Sequence, residues 1–422
     1  MDKILSIFYI SIQDTVRKSD YMQIGWIDFS KKDRDKVFAV IDALTEPEAV
    51  DELGIGAIRD GFSDTFFPGT STIQTRAKYF VLIPYIMKNA MHGCYGDSEN
   101  SILEGINDEE ENCAKQMMQD CSDASGILGW RIIRRGGWLV RPPSLIYWNG
   151  LKKFKILNYI GNIRSYAKFV AENLKNKADN KKLLKMKETD DDDGDDNDAY
   201  SFSNLRIFAD GLPYSKDWKD KLSISLNAEE ALFLEQRIKE THPQSLLYFL
   251  IKQKQSTYGA STFEDLYEKL KTHNTLTEEL KNKMLLAVKF SKFMRVGFAA
   301  YNLVLAGEKE TKVAKKANEI IEKAKQNLNE ITDINLDEVF AINENINYRL
   351  KNFLCELLKF MKVNDLEGMK KCVKEREIYL KKSRANVFKA GSFVKWEGLD
   401  ILYYRLDNVR RILNDIKEGM NV

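Results

Sequence analysis

A mainly α-helical protein is expected from three features of this chain. Seven prolines are spread over 422 residues, so long stretches are free to keep the backbone hydrogen bonds of a helix. Apolar residues recur three or four positions apart through most of the length, the spacing that lines one face of a helix. An apolar content of 44% and a charged content of 30% belong to a globular chain, and this length favours more than one module. Changes in charge along the chain then divide it. An N-terminal helical and winged-helix-like module is followed by an acidic linker and a helical C-terminal body. The expected divisions are residues 1–21 as an N-terminal extension, 22–174 as a nucleic-acid-binding domain, 175–200 as a charged flexible linker and 201–422 as a helical domain.

The first residues carry an apolar run, Ile4-Leu5-Ser6-Ile7-Phe8-Tyr9-Ile10-Ser11-Ile12, too short to span a bilayer and followed by no small-residue cleavage site. It reads as a strand or packing arm, or as an extension ahead of a start at Met22. No other segment reaches membrane-spanning length, so no membrane partner is expected. A first helix follows Asp28, with Val37, Val40, Ile41 and Leu44 at helical spacing until Pro47. Leu53, Ile55, Ile58 and Phe62 predict a second helix over 52–67, closed by Pro68-Gly69. Thr70 or Ser71 is expected to cap a third helix, running through Ile73, Ala77, Phe80 and Val81 toward Ile86, with Pro84 kinking or ending it. Residues 91–123, rich in Gly, Asn, Asp and Glu, read as a polar loop and a short helix around 113–118.

The charge then changes sign. Residues 124–171 hold no Asp or Glu but nine cations: Arg131, Arg134, Arg135, Arg141, Lys152, Lys153, Lys155, Arg164 and Lys168. Gly136-Gly137 separates two apolar and basic runs, which suits a β-hairpin with a two-residue turn. Pro142-Pro143-Ser144 offers a stop and an N-cap for a helix carrying Ile146, Tyr147, Leu151 and Phe154. A hairpin and helix beside the earlier helices make the winged-helix-like module. Lysines through Lys187 and then Asp190 to Asp193, Asp195, Asp196 and Asp198 repel one another and mark the linker.

Beyond it, Asn227 caps a helix over 228–240, His242-Pro243 ends it, and another covers 246–252. Residues 263–381 are helical almost throughout. Met284, Val288, Phe293, Val296, Ala300, Leu303 and Leu305 form a wide apolar face, as on a buried central helix, and 320–331 and 350–360 give others. Leu402, Leu406, Val409, Ile412, Leu413 and Ile416 mark a final amphipathic helix.

Few kinds of catalytic chemistry fit. Five scattered cysteines form no secreted disulfide framework, so a reducing, cytoplasmic setting is expected. His92, His242 and His273 lack a metal-binding helical partner, and Cys94, Cys113 and Cys121 lack finger spacing. Aligning Gly194 with the turn of a calcium loop places Thr189 and Tyr200 where carboxylates are needed. There is no phosphate loop, and Leu53-Gly54-Ile55-Gly56 lies in a helical pattern. No cofactor or metal is expected, and a binding role is favoured over an enzyme. Asp60 with Asp64, or Glu375 with Glu377, keep a metal-dependent nuclease as one alternative; solvated helix faces explain these acids better.

The basic segment is the main clue. Arginine and lysine neutralise phosphates, and Trp130, Trp138, Tyr147 and Trp148 offer flat rings for stacking, with Trp148 read as core in preference to contact. The expected nucleic-acid contacts are Arg131, Arg134, Arg135, Arg141, Lys152 and Lys153, with Arg76 nearby on the polar stretch 67–80. The competing reading makes the rings a local core and sets the arginines against the acidic tracts at 108–111 or 190–198.

Several blocks together resemble a bacterial family of unknown function, catalogued as domain of unknown function 6361. They are Gly25-Trp26-Ile27-Asp28, Asp51-Glu52-Leu53-Gly54-Ile55-Gly56, residues 67–80 and Pro143-Ser144-Leu145-Ile146-Tyr147-Trp148. Shorter pieces are His242-Pro243-Gln244-Ser245-Leu246-Leu247, Ala300-Tyr301-Asn302-Leu303, and Ala385-Asn386 with Trp396 and Tyr404-Arg405. Residues 1–21 and the acidic linker fall outside the shared pattern. The resemblance carries over no catalytic residue. It implies a setting in mobile-element or anti-phage defence loci that also encode helicases and phospholipase-D-like nucleases. The resulting expectation is a non-enzymatic DNA-binding adaptor, with a protein-interaction scaffold for such helicase or nuclease partners, built on the helices after Phe263, as the alternative.

Overall fold

Helix starts are written in short polar side chains, and the structure uses them. Asn227, Ser245, Thr262, Thr277, Thr311, Asn335, Asn347 and Asp365 each accept a hydrogen bond from a backbone N–H of the helix that follows. Such a bond satisfies a donor that has no partner within the helix. The computed structural model describes residues 51–120, 124–187, 206–254, 257–393 and 395–421. The expected extension at 1–21, the first helix around Val37 and the acidic run 190–198 lie outside the described residues.

Asp51–Val422 forms one compact unit. Its helices are α1 Gly56–Phe66, α2 Tyr79–Met91, α3 Glu99–Asp120, α4 Trp130–Ile133, α5 Pro143–Lys153 and α6 Ile163–Lys187. They continue as α7 Ala228–Thr241, α8 Leu246–Lys252, α9 Phe263–Leu270, α10 Glu278–Ala306, α11 Lys312–Gln326 and α12 Leu328–Thr332. The last four are α13 Leu336–Ala341, α14 Tyr348–Lys362, α15 Leu366–Lys381 and α16 Leu406–Met420. No strand occurs among the described residues; one isolated antiparallel bridge joins Leu157 to Phe208.

The wide apolar face on residues 284–305 becomes the buried centre of α10, against which α9, α11, α12, α13 and α15 pack. Phe62, Phe290, Phe263 and Tyr404 lock α1 to this centre, with ring centroids 5.9 Å apart for Phe62 and Phe290 and 5.0 Å for Phe263 and Tyr404. The core is continuous from Leu53 to Ile416. The expected division at residue 174 falls inside α6, and segments on both sides of it share this core. The Leu157–Phe208 bridge shows why: Asn158 N–H donates to Ile207 O at 2.7 Å and Ala209 N–H to Ile156 O at 2.9 Å, so the chain returns to the place it left.

Three local expectations are corrected. The third helix begins at Tyr79, and Pro84 stays inside it; nearly every side chain of α2 is buried, so packing offsets the backbone bond that proline removes. The polar loop with a short helix is instead the long α3, whose Ile102, Ile106, Glu110, Cys113, Ala114 and Met117 make the buried face. A carboxylate in that face hides its periodicity. The hairpin at Gly136-Gly137, and with it the expected wing, is absent: Trp130–Ile133 is a helical turn. Gly136, at φ +80°, closes that turn, with Gly136 N–H donating to Ile133 O and Gly137 N–H to Ile132 O. A left-handed glycine serves a helix end as readily as a hairpin.

Candidate nucleic-acid interface

The basic segment is mounted on α2, α3 and α5. Tyr147 is fully buried; its hydroxyl accepts from Thr75 N–H at 2.8 Å and Arg76 N–H at 3.1 Å and donates to Arg76 O at 2.8 Å. Burial holds this phenol well above its usual titration range. The N-terminus of α5 is held from outside the helix, because Pro142 is the cap residue and offers no side-chain acceptor. Ser144, the expected cap, instead donates from its N–H to Glu110 Oε1 at 2.6 Å and from its hydroxyl to Oε2 at 3.1 Å. Burial raises the Glu110 carboxyl to about 8 against the opposing effect of those bonds.

Of the rings proposed for stacking, three are structural. Tyr147 braces residues 75 and 76. Trp148 Nε1 donates to Gly161 O at 2.8 Å, and Trp138 Nε1 donates to Asn107 Oδ1 on α3 at 3.0 Å. Trp130 differs. Its ring is flanked by two guanidiniums, Arg134 at 4.7 Å and Arg131 at 5.1 Å from the ring centre, an arrangement that steadies both cations on a rigid plate.

The predicted cations form two exposed groups. Arg131 lies in α4, Arg134, Arg135 and Arg141 on the stretch from its end to the start of α5, and Lys152 and Lys153 on the last turn of α5. Arg141 stands just before the start of α5 and the two lysines at its end, about 15 Å away along the helix. Arg131, Arg134 and Arg135 form no ion pair with an acid among the described residues. Three of the four carboxylates of the neighbouring acidic tract are engaged elsewhere, Glu109 with Lys219, Glu110 with Ser144, and Glu111 with Lys115 at 2.7 Å, while Asp108 is exposed. Lys153 and Lys155 add to burial in lowering the His242 pKa. Arg164 faces Glu99 at 3.6 Å, and Lys168 faces Glu172 at 3.9 Å.

Arg76 does not join them. Its Nε lies 2.8 and 2.9 Å from the two carboxylate oxygens of buried Asp415, 339 residues along the chain. Three other polar side chains of 67–80 are likewise braces: Thr70 Oγ1 donates to Phe67 O, Gln74 Nε2 to Gly69 O, and Thr75 Oγ1 to Gly126 O. Sequence reasoning overlooked Val140, fully exposed, and Ile132, also exposed, between these arginines. Two aliphatics standing in an arginine-rich run were the available signal.

Other chemistry finds less. No group of three or more His, Cys, Asp or Glu is gathered for a metal among the described residues. Asp60 and Asp64 both meet Arg405, at 3.7 and 2.5 Å. Glu377 is buried and accepts from Tyr301, Asn386 and Val387, whereas Glu375 faces Lys371 at 4.0 Å. Among the described residues, no helix is long and apolar enough to cross a membrane.

Residues 21–345 match a family described as "Family of unknown function (DUF6361)". No curated protein and no solved structure matches the chain.

Proposed function

The chain belongs to that family of unknown function, and we propose that it is a non-enzymatic, DNA-binding adaptor whose contact surface is α4 and the loop from it to α5, with the end of α5. One observation carries this reading: Arg131, Arg134 and Arg135 are exposed and form no ion pair with an acid among the described residues, while Glu109, Glu110 and Glu111, three of the four acids of the nearby tract, are engaged elsewhere. A local positive field of that kind selects a polyanion. With Arg141, Lys152 and Lys153 they make six phosphate contacts; Arg76 is a brace. The defence-locus setting implied by the resemblance is consistent with an adaptor that holds DNA for another enzyme.

Titrating the full chain against duplex and single-stranded DNA over a range of salt tests the reading. Six phosphate contacts predict a slope of log K against log salt of about −5, and replacing Arg131, Arg134 and Arg135 together by alanine should reduce it to about −3. Absence of binding at low salt overturns the proposal. A second reading, a scaffold for a helicase or phospholipase-D-like nuclease, draws on the exposed Tyr348, Val363, Tyr379 and Phe388 beyond residue 263. Co-purification that survives the triple arginine replacement, with no DNA retained, favours it.

A further inference from the structure

We propose that Val140 is an apolar wedge which enters the minor groove of duplex DNA and opens a base step, while the surrounding arginines grip the phosphates on either side. The proposal rests on the reading of this loop as a DNA contact and deepens it from phosphate binding to distortion of the duplex. Val140 is the most exposed large hydrophobic residue among those described, and both of its flanks are pinned. On one side Trp138 is bonded to Asn107, and Leu139 packs so closely on Gly129 that a Cβ there would lie 3.1 Å from Leu139 Cγ. On the other, Pro142-Pro143 restricts the backbone as it enters α5, and Ser144 is clamped to Glu110. The valine is therefore held out by its neighbours. Folding gains nothing from that placement, whereas an apolar tip set among cations matches the way minor-groove proteins kink a duplex.

The same geometry argues against two other occupants. Single-strand binding by stacking needs an open ring, yet Trp138 and Trp148 are tied to the fold and Trp130 lies against Arg131 and Arg134. Val140 with Ile132 offers too little apolar surface to anchor a protein in a lipid surface.

The test uses the full chain and a short duplex with a central TA step, which kinks readily. The step carries 2-aminopurine and the ends carry a dye pair. The expected result is a rise in 2-aminopurine fluorescence and a shortened end-to-end distance on binding. Val140→Ala should keep the salt slope, bind about tenfold more weakly and give neither signal. Circular dichroism checks that the variant is folded. Binding of the unaltered chain without unstacking or bending, or full signals from Val140→Ala, overturns the wedge and leaves the interface standing. No duplex binding at low salt overturns both, as does Val140-dependent binding to phosphatidylserine vesicles in its place.

Discussion

Glu110 sits in an acid-rich stretch, Asp108-Glu109-Glu110-Glu111, whose charge alone reads as a solvated surface. One turn of α3 divides these side chains, with Asp108 exposed and Glu110 against the start of α5. Burial makes ionisation costly, so the folded state holds its proton up to about 8, against an ordinary value of 4.5. Below the ordinary value both states are protonated and the contribution to stability is complete. Between the two values the unfolded chain gives up the proton and the folded one keeps it, so stability falls as pH rises and the loss is complete above the folded value. Glu110→Gln keeps the shape of the clamp without the titration. Thermal unfolding should show the unaltered protein losing stability relative to Glu110→Gln between about pH 5 and pH 8, whereas parallel profiles would remove this role. No one-dimensional signal marks the residue, because its partner Ser144 is 34 positions away.

The element that presents the basic surface, α5, depends on a close approach of backbones. At Gly150 a Cβ would lie 2.4 Å from Gly69 O and 2.7 Å from the Phe80 ring, and Gly69 itself has φ +76°. Gly150→Ala should therefore destabilise the protein by about 1–3 kcal/mol through overpacking, measured by urea unfolding. A change below about 0.5 kcal/mol, the range of ordinary surface substitutions, would show that α5 can move away without penalty. The existence of α5 was legible from Pro143 and the spacing of Tyr147, Leu151 and Phe154; its tight seat was not, since the glycine's neighbour comes from residue 69. The loop before it was misread for a related reason. Two adjacent glycines carry the same local permission for a hairpin and for a helix end, and the contacts that hold the observed turn, such as the bond of Trp138 to Asn107, come from a residue 31 positions away.

Across the whole molecule, Arg76 and Asp415 tie the second helix region to the last helix. Asp415 is buried and also accepts from Ala77 N–H at 2.7 Å, so removing the guanidinium leaves a carboxylate without its counter-charge. Arg76→Met should cost about 3–5 kcal/mol while leaving the salt slope of DNA binding unchanged. Denaturation followed separately by far-ultraviolet circular dichroism and tryptophan fluorescence should remain one coincident transition, because one core runs from Leu53 to Ile416. Two separated transitions would instead mean that the parts before and after residue 200 fold independently.

Helical character, the cap at Asn227, the buried centre of α10 and the amphipathic α16 follow from local spacing. Capping and burial periodicity are properties of four to fifteen consecutive residues, and the chain order contains them. The concentration of cations in residues 124–171 is local in the same sense. Which cations are exposed is not local: Arg76 and Arg131 look alike as letters, and they differ because Asp415 folds back onto one and no described acid pairs with the other. Pairings such as Arg76 with Asp415, Lys78 with Glu230 and Ser144 with Glu110 join residues far apart in the chain. They form when apolar surfaces are driven together, because a buried charge or polar group is tolerated only where another group arrives to meet it.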